Sequence, residues 1–132
     1  MNPPVFLPEK LQKKYKEISE QFNKISEDWK KYEDEIIPQN PEFAKKIISF
    51  LIEVIEYIEK NYAQLDLLKC KEFLRYYYYE FYYGPNGDDR SYLDFDEISI
   101  SELLMELRED EPISKKELEN LKKELAKAQK QF

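Results

Sequence analysis

Proline placement constrains this chain more than any other feature. Seven prolines, at Pro3, Pro4, Pro8, Pro38, Pro41, Pro85 and Pro112, leave four long intervals without one. Proline lacks the N–H that a helix needs and clashes with the preceding turn, so those intervals are where helices can run. In the first, Leu11, Tyr15, Ile18, Phe22, Ile25, Trp29, Tyr32 and Ile36 alternate steps of four and three. This is heptad spacing, and it predicts a long amphipathic helix from Glu9 to about Ile37. The stripe is narrow, which suits either the outside of a bundle or an intermolecular coiled coil.

The second interval opens with Asn40 as a cap and Pro41 at the first helical position, where its missing N–H costs nothing. Phe43, Ala44, Ile47, Ile48, Phe50, Leu51, Ile52, Val54, Ile55 and Ile58 wrap most of the helix, leaving Lys45, Ser49, Glu53, Glu56 and Lys60 as a polar stripe. Such a helix belongs in the middle of a core. Unbroken from Glu42 to Tyr83 it would measure about 63 Å, too long for a compact domain of this size. A bend is therefore placed between Asn61 and Leu65, with Asp66 capping a third helix that ends at Gly84 and Pro85. Ser99 with Glu102 and Ser114 with Glu117 read as capping boxes for a short helix to about Asp110 and a last helix after Pro112. In the last helix Leu118, Leu121, Leu125, Ala128 and Phe132 again follow heptad spacing. The fold class expected is all-α: one domain spanning residues 1–132, a bundle of four to five helices with a long amphipathic first helix. Residues 1–8 form an arm, 84–98 an acidic loop and 113–132 a basic terminal helix.

Composition narrows function mainly by exclusion. There is no histidine, one cysteine and only two glycines. The usual bases, metal ligands and phosphate-cradling loops are thus largely missing, and the chain reads as a non-enzyme without a cofactor. Glu53, Glu56 and Glu59 are read as a solvated helix face, not a carboxylate site. A single thiol cannot form an internal disulfide, the first residues lack a basic-then-apolar leader, and Ile47 to Ile58 is broken by Ser49, Glu53 and Glu56. These features lead us to expect a cytoplasmic or intracellular protein, or a virion component, that does not enter membranes. Abundant Lys, Glu, Ile and Tyr with few Gly resembles the composition of small helical proteins of hyperthermophilic archaea and their viruses.

Charge is unevenly placed. The net charge is −7, yet residues 1–87 are close to neutral. Asp88 to Pro112 carries ten carboxylates against two arginines, a net of −8, and Ile113 to Phe132 carries +3. The acidic block is either a solvated face or a docking surface for a basic partner, and the basic terminal helix is expected to neutralise part of it. Just before it, residues 76–83 hold six tyrosines and one phenylalanine. Consecutive helical positions point all round the axis, so some of these rings face solvent or a partner. The expected partner-binding set is Tyr79, Tyr82, Tyr83, Asp88, Asp89, Tyr92, Asp94, Phe95, Asp96 and Glu97.

Leu93-Asp94-Phe95-Asp96-Glu97-Ile98 resembles the closing half of an EF-hand loop, and the resemblance implies calcium on Asn86, Asp88, Asp94 and Glu97. Arg90 and Ser91 depart from that pattern, at a ligand position and at the glycine turn. Two functions are left standing: an inhibitor or regulator that occupies the basic groove of a polymerase or nuclease by charge mimicry, and a structural subunit that self-associates through helix and Tyr-rich surfaces. Direct nucleic-acid binding is not expected of an acidic chain, the lysines from Lys115 to Lys130 being the exception to watch.

Overall fold

A computed structural model describes residues 5–29, 41–82, 94–95 and 98–130. The elements run α1 (Glu9–Trp29), α2 (Pro41–Lys60), a 3-10 turn (Tyr62–Gln64), α3 (Leu67–Tyr82), β1 (Asp94–Phe95), β2 (Ile98–Ser99), α4 (Ile100–Met105) and α5 (Lys115–Gln129). The fold is a small all-α bundle. Its two short strands form one antiparallel pair, with Asp94 opposite Ser99 and Phe95 opposite Ile98.

The hydrophobic pattern explains the layers. α2 is apolar nearly all round, and Phe43, Ala44, Ile47, Phe50, Leu51, Val54, Ile55 and Ile58 lose all solvent contact. It is the central helix, with α1 on one side and α5 on another, while α4 packs mainly on α3. The expectation for Ile52 needs correction, since it is only half-buried at the margin of the core. The narrow stripe of α1 meets this core through Leu11, Tyr15, Ile18 and Phe22, all buried. The α1 side therefore faces this chain's own bundle; residues 30–37 of the expected helix lie outside the described residues. Phe73 of α3 ties the layers together: its ring lies 5.9 Å from Tyr15, 6.5 Å from Phe50 and 5.7 Å from Phe6. These are tilted or edge-on pairs, as ring quadrupoles favour.

The ends of elements follow from local chemistry. The chain bends after α2 as expected, and Asp66 caps α3 by accepting the Lys69 N–H at 3.2 Å. The arm expected at residues 1–8 is not free in its described part: Leu7 is buried, and its carbonyl accepts from Gln12 Nε2 at 2.8 Å. Ser114 and Glu117 form the expected capping box, with Glu117 N–H to Ser114 Oγ at 3.1 Å and Ser114 N–H to Glu117 Oε1 at 3.0 Å. α4 stops at Met105, short of the expected end near Asp110. The reason is tertiary. Arg75 reaches across from α3 and donates Nη1 hydrogen bonds to the carbonyls of Met105 and Leu107, so the carbonyls left open by the helix end are satisfied by a guanidinium.

Candidate functional site

Of the ten residues expected to bind a partner, Tyr83, Asp88, Asp89, Tyr92, Asp96 and Glu97 lie outside the described residues. Tyr79 and Tyr82 fall in the last turns of α3, and Asp94 and Phe95 form β1; for these four the backbone is placed. β2 leads straight into α4 at Ile100. An EF-hand closing at Glu97 would already be in its exiting helix at these positions, and a strand pair there runs against the calcium reading.

The described remainder of the acidic block is a strap along α3. Its near end is fixed by Arg75, which besides the two carbonyls pairs Nη2 with Glu109 at 2.9 Å. Its far end is fixed by the Ile113 N–H, which donates to the Leu67 carbonyl at 3.2 Å. Arg75 and Leu67 stand eight residues apart on one helix, so the strap runs antiparallel to α3. Glu106, Arg108, Glu109, Asp110 and Glu111 are all exposed on it, and Arg108 sits 3.6 Å from Glu111.

The described contacts of the basic terminal helix lie away from this strap. Lys122 pairs with Glu59 of α2 at 3.1 Å, Lys127 with Glu124 of its own helix at 3.2 Å, and Lys115 lies 5.2 Å over the Tyr62 ring. Those contacts turn α5 toward α2 and the 3-10 turn.

Where Ile113 meets the corner between α2 and α3, three further interactions converge. The Tyr62 hydroxyl donates to the Ile113 carbonyl at 2.8 Å. Lys71 of α3, 1 % exposed, places Nζ 3.1 Å from Glu117 Oε1, the same oxygen that accepts the Ser114 N–H. The two groups form a buried ion pair. Burial pushes the Glu117 carboxyl up, but the Ser114 N–H, the Lys71 ammonium through contact and charge, and the Ser114 hydroxyl outweigh it and hold the group below its ordinary value. Beside Lys71 in the chain, burial and then the nearby Asp66 charge raise the Cys70 thiol to about 11.

A groove of about 400 Å³ separates α1 from α2 over Ile18 and Phe50. Lys14, Lys45 and Lys46 face Glu17, Glu42 and Glu53 there. Lys14 and Glu53 close on each other at 2.6 Å, so the lining is balanced and favours neither cation nor anion. Among the described residues no group of His, Cys, Asp or Glu is arranged to hold a metal, and no helix is long and apolar enough to cross a membrane.

Sequence reasoning missed Lys71 and Arg75. A signal for the first existed: Leu67, Cys70, Lys71 and Leu74 follow the i, i+3, i+4, i+7 spacing of a buried face, and the lysine occupies one of its slots. For Arg75 no local pattern exists, because its acceptors lie 30 or more residues away. No protein family model matches this chain, and neither a curated protein nor a solved structure does.

Proposed function

We propose that this chain is a non-enzymatic protein-binding module whose acidic, aromatic stretch from Asp88 to Glu97 docks a basic surface, such as the nucleic-acid groove of a polymerase or nuclease. What supports the reading is the concentration of a net −8 between Asp88 and Pro112 on a segment whose described carboxylates, Glu106, Glu109, Asp110 and Glu111, are exposed. The described ion pairs made by the lysines of α5 are with α2 and within α5. A net surface charge of one sign steers encounter with a partner of the other. The test is capture from extract of the native host, comparing the natural chain with one in which Asp94, Asp96 and Glu97 are reversed to lysine. Basic nucleic-acid enzymes retained by the first and lost by the second, with unchanged far-ultraviolet circular dichroism, support the proposal. Identical captured proteins from both would end it.

Self-association is the second reading, favoured by Leu68 and Met105, which stay 37 % and 47 % exposed on the packed pair of α3 and α4. Light scattering on the purified chain separates the two, since a structural subunit gives a mass above one chain.

A further inference from the structure

We propose that the Lys71–Glu117 pair is a proton-operated latch, which holds the start of α5 and the strap before it against α3 and releases them when Glu117 takes up a proton. Lys71 is the buried charged side chain of the described core, and Glu117 is the carboxylate that approaches it, at 3.1 Å. One oxygen of that carboxylate serves two partners, since Oε1 also accepts the Ser114 N–H that closes the capping box. Protonation of Glu117 therefore has two local consequences. It leaves an ammonium in the core without its counter-charge, a state that burial makes costly. It also weakens the bond that starts α5.

The way for the structure to rehydrate the ammonium is to part α3 from the first turn of α5; the packing of the buried Ile113 and Leu118 opposes this, and the polar and ring contacts that join it are few. They are the Ile113 N–H on the Leu67 carbonyl, the Tyr62 hydroxyl on the Ile113 carbonyl, and Lys115 over the Tyr62 ring. Four other carboxylates of the surrounding elements are engaged apart from the pair. Glu59 of α2 holds Lys122, Glu109 of the strap holds Arg75, Glu111 lies beside Arg108, and Asp66 caps α3 next to the Cys70 thiol. None of them supplies Lys71 with a replacement anion.

The sign follows from the direction of the Glu117 shift. Its carboxyl titrates below the ordinary glutamate range in the folded chain. The latch is thus closed throughout neutral and mildly acidic solution and opens as pH falls through the depressed value.

The experiment is a pH titration of the full chain by nuclear magnetic resonance. It follows the Glu117 carboxyl carbon together with hydrogen exchange at the Ile113 amide, corrected for intrinsic rates. We expect protection at Ile113 to fall by at least about tenfold with the midpoint of the Glu117 titration, while the amides of Ile47 and Ile55 keep theirs. In Lys71→Met that midpoint moves upward, since the cation that depressed it is gone. Three results would each overturn the proposal: protection at Ile113 that is constant across the Glu117 titration, a midpoint unmoved in Lys71→Met, or loss of protection at Ile47 and Ile55 together with Ile113.

Discussion

At the scale of single residues, burial decides what each side chain contributes. Ile55 has no solvent contact and Ile52 is half-buried, though both belong to the same apolar run in the sequence. Ile55→Ala should destabilise the chain by about 2 to 5 kcal/mol, because deleting a buried aliphatic group loses transfer free energy and leaves a cavity. Ile52→Ala should cost clearly less, and chemical denaturation of the two variants side by side measures the difference. The sequence shows that these residues are apolar and on which helix they sit; their separate exposures depend on which neighbours arrive, and no periodicity holds that information. Cys70 gives a second test. Its thiol is buried and raised to about 11, so near pH 8 almost none is thiolate and alkylation should proceed only as fast as the structure opens. The same shift has a consequence for stability. The folded thiol keeps its proton where the unfolded one, near 9, loses it, so this contribution is whole below about pH 9 and fades as the solution approaches 11. Iodoacetamide labelling with and without denaturant checks the first statement; immediate labelling of the native chain would contradict the buried site.

At the scale of elements, the helices that were legible are those governed by local rules. The proline at the start of α2, the serine and glutamate at the start of α5 and the heptads of α1 act over a turn or two, and each marks an element the structure contains. The end of α4 was not legible, because it is set by a guanidinium from another helix. The direction of the α5 lysines was hidden for the same reason, as Glu59 is 63 residues from Lys122. The candidate docking stretch could be picked out by its charge count alone, but charge says nothing about backbone, and the strand pair at Asp94–Phe95 and Ile98–Ser99 carries no strong turn or alternation signal. Arg75→Ala removes the donors to Met105 and Leu107 and the partner of Glu109 together. It should therefore speed hydrogen exchange through α4 and the strap while leaving α1 and α2 protected. Ser114→Ala should lower stability by about 1 kcal/mol through loss of the cap, as measured by denaturant titration.

At the scale of the whole molecule, the distribution of charge counts more than its sum. A duplex should repel a chain of net −7, and the lysines of α5 that could have formed a basic track include Lys122 and Lys127 in ion pairs and Lys115 against a tyrosine ring. No retention on a DNA column is expected near physiological salt; salt-sensitive retention that disappears when the α5 lysines are neutralised would refute this. Finally, the strap from Met105 to Ile113 has a length that the fold cannot change freely. A connection between two helices ordinarily tolerates extra residues, since lengthening a loose loop adds little to its closure entropy. This one is pinned to α3 at two points eight residues apart on that helix, so it works as a ruler laid along the helix. For anyone grafting a peptide or a tag into the protein, the exposed run of residues 108–112 looks like the place to choose and is the wrong one: any added residue must bulge outward or pull one pin loose.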